Sequence, residues 1–248
     1  MGMAWKAGSG MVGGRGVSGD EQGHAPERGQ LPSIRQIHRL QFQSSFMESK
    51  NQADNLNSLF PHKVCINLDR RPERWRRMEE RFAQHGILSV IRFAGIDGLG
   101  VQTPATWPYS SGHYGCLQSH LAILRLAREN EVPIILIFED DCIFDPEFNK
   151  KFASHMKQVP ADWDILFFGG RHFEEPIQIS ENVARAKMTY LTHAYAVKHR
   201  LYDVLIELCE GGQGAIDDHT ATLQKDYNCY CFVPDLIWQE RIDSDTRG

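Results

Sequence analysis

Apolar and polar positions fall in blocks along most of this chain, and the period of the blocks alternates. Val64-Cys65-Ile66-Asn67-Leu68 is a short, mostly apolar run and predicts a strand. Pro72 then opens a helical pattern, as proline does in a first turn. Trp75, Met78 and Phe82 lie on one stripe of it, and Gly86 ends it. Residues 89–94 read as a second strand, broken by Gly95, Gly98 and Gly100. Leu117, Leu121 and Leu124 share one face of a helix that runs to about Glu129. The five apolar residues Ile134-Ile135-Leu136-Ile137-Phe138 read as a central parallel strand covered on both faces. Further on, the pattern predicts a helix over 147–157, a strand over 165–168 and a strand over 190–197. Leu201, Val204, Leu205 and Leu208 mark another helix. A short strand leading into Asp217, a helix over about 218–225 and a strand over 230–233 complete the body. Strands alternating with helices predict an α/β fold, with a mostly parallel central sheet flanked by helices.

The first part of the chain has a different texture. Nine of its first thirty residues are glycine, and its apolar residues show little period. Glycine has the most backbone freedom to lose, so residues 1–58 are expected to be a disordered extension and 59–248 the folded domain. The competing reading of the extension is a docking segment. The chain has 248 residues, enough for one ordinary domain plus a tail. A net charge of −5 disfavours a broad nucleic-acid binder, which would carry a basic surface. No apolar stretch approaches the length of a transmembrane helix, and no apolar signal core stands at the start. The six cysteines are scattered and none forms a C-x-x-C pair. That pattern suits a reducing compartment and predicts a cytoplasmic protein, with peripheral contact to the inner face of a membrane left open. The oligomeric state is also left open.

The chemistry is expected beyond the carboxyl ends of the strands, where open α/β sheets bind their ligands. Glu139-Asp140-Asp141 follows the most apolar strand directly. Three carboxylates there repel one another and resist leaving water, and a divalent cation offsets both effects. Hard oxygen donors suit Mn²⁺ or Mg²⁺. If the chain stays extended, Glu139 and Asp141 point the same way and Asp140 the other. The bland reading is an acidic strand end that caps a helix or pairs with an arginine. Asp217 and Asp218 form a second acidic point, either as a helix N-cap or as a general base or acceptor-binding carboxylate, with His219 as a candidate metal ligand. In the turn from Asn67 to Arg74, arginines and helix-start N–H groups offer a place for a diphosphate. A solvated helix face laced with Glu73, Glu79 and Glu80 has the same pattern. Gly115-Cys116-Leu117-Gln118-Ser119-His120 is a fourth candidate, although a lone histidine on a helix is more often structural. No Walker A lysine loop and no G-x-S-x-G elbow is present.

Together these segments resemble glycosyltransferase family 25, the lipooligosaccharide and procollagen galactosyltransferase group. The matching runs are 66–74, 115–121, 136–141, 192–197 and 216–218, closing with Ser244-Asp245. The resemblance covers about residues 62–247 and implies a GT-A fold in a single domain. It also implies a UDP-sugar donor, a Mn²⁺ ion at the acidic triplet and inversion at the sugar carbon. On this reading Glu139, Asp141 and His219 hold the metal. Asn67, Arg70, Arg74, Ser119, His120 and Asp140 bind the donor. Asp217 or Asp218 is the base, with Asp217 favoured. The expected partners are a nucleotide sugar and a glycan or lipid-linked glycan acceptor, with no nucleic acid. A bacterial or viral surface-glycan enzyme moving galactose or glucose fits these features. The alternatives are a catalytically silent GT-A-like binding module and a nucleotidyltransferase, whose Gly-rich basic N-terminal loop is missing.

Overall fold

The computed structural model describes residues 55–211, 213–240 and 245–246. The expected extension lies outside them apart from residues 55–58, and so does Ser244. In chain order, α1 (Leu56–Leu59) leads to β1 (His62–Asn67), α2 (Pro72–Gln84), β2 (Val90–Ala94) and α3 (Ser111–Glu129). Then follow β3 (Ile134–Glu139), β4 (Cys142–Phe144), α4 (Phe148–Met156), β5 (Ile165–Phe167), β6 (Arg171–His172), β7 (Ile177–Gln178), β8 (Val183–Arg185) and β9 (Thr189–Tyr190). The chain closes with β10 (Ala194–Lys198), α5 (Tyr202–Gly211), α6 (Ile216–Leu223), β11 (Cys229–Phe232) and β12 (Ile237–Gln239).

Eight strands form the main sheet in the order β2-β1-β3-β10-β5-β11-β8-β7. β1 is parallel to β2 and β3, and β5 is parallel to β11. β10 is antiparallel to both of its neighbours, and β8 to both of its own. Six of the eight strands therefore run one way, with β10 and β8 reversed. This is the expected α/β architecture with a mostly parallel sheet. Alternation along the central strands feeds two cores. Ile135 and Ile137 of β3 join α3, α5 and α6 on one face, while Leu136 and Phe138 join α1, α2 and α4 on the other. Burying each such side chain contributes about 1.5–3 kcal/mol, so a strand apolar on both faces belongs in the middle of the sheet. Leu56 and Phe60 are buried in the second core, so the chain is already packed on the body at residue 56.

Three expectations change here. The strand expected over 190–197 breaks at Leu191, whose φ of 73° lies in the left-handed region. β9 and β10 are separate, and the main-chain N–H of Phe168 donates to the carbonyl of Ala194, closing the excursion between β5 and β10 at its base. Residues 213–215 form no strand leading into Asp217: Ala215 is the extended N-cap of α6, and both aspartates lie in that helix's first turn. The chain does not stay extended through the acidic triplet, because Asp140 and Asp141 form the turn from β3 into β4.

Candidate active site

The turn sends the three carboxylates in three directions. Glu139 faces α3 and the segment before β10, where its Oε1 lies 3.3 Å from His120 Nε2 and 3.4 Å from Thr192 Oγ1. Asp140 faces β1 and α2. It accepts from Asn67 Nδ2 at 2.6 Å and from Arg74 Nη1 at 3.2 Å. Asp141 faces β12, where Gln239 Nε2 donates to its Oδ2 at 3.0 Å. Its other oxygen, Oδ1, is buried and has no hydrogen-bond partner. All three carboxylates, Asp140 included, line one cleft of about 320 Å³ at the carboxyl ends of the parallel strands β1 and β3.

Burial dominates the electrostatics. It pushes Glu139 up to about 8, reinforced by the charges of Asp217 and Asp140. It pushes Asp141 up to about 8 as well, reinforced by Glu139 and Asp140. Asp140 is raised by burial too, against the opposing hydrogen bonds of Asn67 and Arg74. Without a cation, the first and last members of the triplet therefore hold protons near neutral pH. A buried acceptor without a partner costs about 1–3 kcal/mol, and more when charged. Asp141 Oδ1 is such an acceptor, and an oxygen donor set of this kind fits a hard divalent cation.

Next to the turn, the arginines at the start of α2 are paired with carboxylates. Arg70 Nε donates to Asp97 at 2.5 Å and its Nη1 to Asp245 at 2.6 Å. Arg71 and Arg74 reach the same Asp245 carboxylate at 2.8 and 3.5 Å. Burial alone would raise Asp245, but the hydrogen bonds of Arg71 and Arg70 outweigh it and hold the carboxyl below its usual range. Asn67 is fully buried and fully used. Besides Asp140 it bonds the Arg71 carbonyl at 2.9 Å, and it accepts from Arg92 Nε at 2.8 Å. It fixes the strand end against the acidic turn and still contributes to the cleft wall.

Ser119 and His120 come from α3. Ser119 Oγ donates to the Gly115 carbonyl at 2.7 Å and accepts from the Ile96 N–H at 2.8 Å, which straps α3 to the loop after β2. That loop crosses the helix so closely that a Cβ on Gly115 would lie 2.4 Å from the Ile96 carbonyl oxygen. His120 is fully buried, and burial lowers it to about 4, so the ring is neutral. Its Nδ1 lies 3.0 Å from the Tyr195 hydroxyl. Ser119 lines the cleft wall, whereas His120 stands behind Glu139.

Asp217 and Asp218 divide their work. Asp217 Oδ1 accepts from the Thr192 N–H at 3.0 Å and the Thr192 hydroxyl at 2.9 Å. The hydroxyl sits between Asp217 and Glu139 and donates to the nearer, Asp217. Burial raises the Asp217 carboxyl above its ordinary value. Asp218 performs the capping: its Oδ2 accepts from the Ala215 N–H at 2.8 Å and from the Tyr109 hydroxyl at 2.9 Å, and its Oδ1 lies 3.4 Å from the Tyr190 hydroxyl. His219 is set apart from the triplet. It packs beside Gly214, its Nε2 is buried without a partner, and it does not line the cleft. The group whose ligand atoms come within 4.8 Å of one another, among the described residues, is instead Cys116, His120 and Glu139.

Gln239 and Asp97 did not stand out in the sequence, and Thr192 and Tyr195 stood out only within the run 192–197 of the family resemblance, with no role assigned to them. The first two are an uncharged and an isolated residue far from the acidic runs, and only their position after apolar segments could have drawn attention to them.

Residues 60–206 match the family described as glycosyltransferase family 25 (LPS biosynthesis protein). A glycosyltransferase 25 family member of Drosophila melanogaster is 28% identical over 53% of this chain and 25% of its own length. Human procollagen galactosyltransferase 2 is 29% identical over 56% of this chain and 26% of its own length. A human protein named inactive glycosyltransferase 25 family member 3 is 28% identical over 56% and 27%. The matched part of the chain thus spans about a quarter of the length of these relatives. Among solved structures, a glycosyltransferase involved in glycosylating the major capsid of PBCV-1 aligns with a TM-score of 0.35 and 13% identity, covering 59% of this chain and 65% of that one. The acidic turn, the arginine-bearing strand end and the α3 strap that build the cleft all fall inside the matched segment, and the chain belongs to glycosyltransferase family 25.

Proposed function

We propose that this chain transfers a hexose, galactose or glucose, from a UDP-sugar to a hydroxyl of a glycan or lipid-linked glycan, with inversion at the sugar carbon and dependence on Mn²⁺ or Mg²⁺. The observation that carries the reading is the buried acidic turn whose Asp141 Oδ1 lacks a partner, in a cleft that Arg70 and Arg74 also line, in a family 25 chain. Asp141 and Glu139 would hold the cation, and His219, set apart from them, is left out of the proposal. The cation, when bound, neutralises charge on the departing diphosphate. Arg70 and Arg74 bind the phosphates, and Asn67 keeps Asp140 and Arg92 in place while they do so. Asp217 accepts the proton of the acceptor hydroxyl as that oxygen bonds to the sugar carbon and the bond to the diphosphate breaks. Its raised affinity for a proton suits a base.

The test is transfer and UDP release across a panel of UDP-sugars, with and without Mn²⁺, beside calorimetry of UDP–Mn²⁺. Asp141→Ala is expected to abolish Mn²⁺-dependent UDP binding while the fold persists. Parent-like binding in that variant would make the triplet structural. A second reading, a silent module that binds a nucleotide sugar, is favoured by the inactive relative and by the absence of Asp217 from the cleft lining. Tight UDP binding without transfer to any acceptor, and without donor hydrolysis, would select it.

A further inference from the structure

Behind the acidic turn lies a donor set of a different chemical kind. Cys116 and His120 are four residues apart on α3, so both project toward β3, where Glu139 meets them. Their ligand atoms all lie within 4.8 Å of one another, and His120 Nε2 is 3.3 Å from Glu139 Oε1. A tetrahedral zinc ion with bonds of about 2.0–2.3 Å holds its ligands about 3.3–3.8 Å apart, so His120 and Glu139 already stand at that spacing and any pair at up to 4.8 Å must close by about 1 Å. Two further observations make the group a built site. His120 is held from behind by the Tyr195 hydroxyl on Nδ1, the outer contact that orients metal-binding imidazoles. Cys116 and Glu139 both line the cleft, so ions can reach them from it. The remaining five cysteines, Cys65, Cys142, Cys209, Cys229 and Cys231, are all buried.

We propose that Cys116, His120 and Glu139 form a second cation site, selective for a thiophilic divalent ion such as Zn²⁺. Because it shares Glu139 with the acidic turn, occupation of this site weakens Mn²⁺-dependent donor binding. A sulfur and an imidazole nitrogen favour Zn²⁺ or Co²⁺ over Mn²⁺, while Asp141 and Glu139 alone favour the harder ion. Binding replaces the Cys116 S–H bond with a sulfur–metal bond and the Glu139 O–H bond with an oxygen–metal bond, and both protons pass to solvent. His120 Nε2 presents its lone pair to the metal, and its Nδ1–H then donates to Tyr195, whose hydroxyl can serve as donor or acceptor. The site stands on its own geometry. Only the antagonism with Mn²⁺ rests on the function proposed above.

Co²⁺ is the probe, because a cysteine ligand gives a thiolate-to-cobalt charge-transfer band in the near ultraviolet. Titration of the full chain under reducing conditions is expected to develop that band to one equivalent and to lose it on addition of Zn²⁺. The near-isosteric Cys116→Ser should abolish the band with an unchanged circular dichroism spectrum. His120→Gln should weaken cobalt affinity at least tenfold. Absence of the band in the parent, or its survival in Cys116→Ser, overturns the site. UDP–Mn²⁺ calorimetry with and without Zn²⁺ then reads the antagonism, expected as a tenfold or greater loss of affinity in the parent and not in Cys116→Ser. A chain that binds Co²⁺ through the thiol but never binds UDP would retain this site and remove the proposed function.

Discussion

Asp140 and Asp141 are chemically identical neighbours in opposite circumstances. Asp140 has an amide and a guanidinium on its oxygens, whereas Asp141 has one glutamine and one bare oxygen. A cation therefore adds most at Asp141, and its loss is felt most there. The same contrast separates Asp217 from Asp218. A base acts in the transition state and adds little to donor binding. Asp217→Asn is expected to lower kcat by about 10²–10⁴-fold and leave UDP affinity nearly unchanged. Asp218→Asn, whose amide oxygen can still accept from the Ala215 N–H, should leave stability little changed and keep measurable transfer. Transfer assays and calorimetry on the pair decide. If transfer survives in Asp217→Asn and vanishes in Asp218→Asn, the assignment reverses. The charged members of this site could be read from the sequence, because carboxylates after an apolar strand are costly enough to need a reason. Gln239 could not, since a glutamine at a strand end costs nothing and only the fold brings it to a carboxylate, and Thr192 was legible only as part of the run 192–197, without its bond to Asp217.

At the scale of elements, the apolar runs predicted β1, β3, β5, α2 and α3 closely, and they failed where direction or a single backbone torsion decides. An apolar strand reads the same whichever way it runs, so the reversal of β10 was hidden. Leu191 at φ 73° breaks a run that otherwise looks continuous. The reversal matters to the site, because it puts the amino end of β10, with Thr192 before it, beside the carboxyl end of β3. The contact between α3 and the loop after β2 is the tightest of these arrangements. Gly115→Ala would place its Cβ 2.4 Å from the Ile96 carbonyl oxygen and 2.6 Å from Gly98 N, both backbone atoms. Overpacking of this kind costs about 1–3 kcal/mol. Thermal denaturation should show a clear fall in Tm, and UDP affinity should fall with it, since the strap through Ser119 holds the cleft wall. An unchanged Tm would mean that the loop can move aside freely.

The whole molecule responds to pH through the same carboxylates. Glu139 and Asp141 ionise near 4 in an unfolded chain and at about 8 in the metal-free fold. Below about pH 4 both states are protonated and these groups cost nothing. Between about 4 and 8 the fold keeps protons that the unfolded chain has lost, so stability falls as pH rises, and the full cost is present above 8. The Tm of the metal-free protein is expected to decline across this window, and Mn²⁺ should restore it more at pH 8 than at pH 6. Equal stabilisation at both values would detach the cation from these two groups. Removal of residues 1–54 is expected to leave Tm and UDP affinity close to those of the full chain, because Leu56 and Phe60 already belong to the core. A large fall in either would show that the Gly-rich part contributes to the body. Among the described residues no helix is long and apolar enough to cross a membrane.

The hydrogen bond from Phe168 to Ala194 pinches the excursion of residues 169–193 at its base. The excursion leaves and re-enters on adjacent strands, and it delivers Tyr190 and Thr192 to the two aspartates of α6. Lengthening a loop whose ends are already joined adds only about 0.6 kcal/mol for each doubling. The β1–α2–β3 side of the cleft meets it at Glu139, whose N–H donates to the His193 carbonyl at 2.7 Å and whose Oε1 lies 3.4 Å from Thr192 Oγ1. The excursion is therefore divided within itself: new segments can be inserted at its exposed residues 173–175, by evolution or by grafting, whereas β8, whose Val183 and Ala184 are fully buried in the main sheet, is fixed.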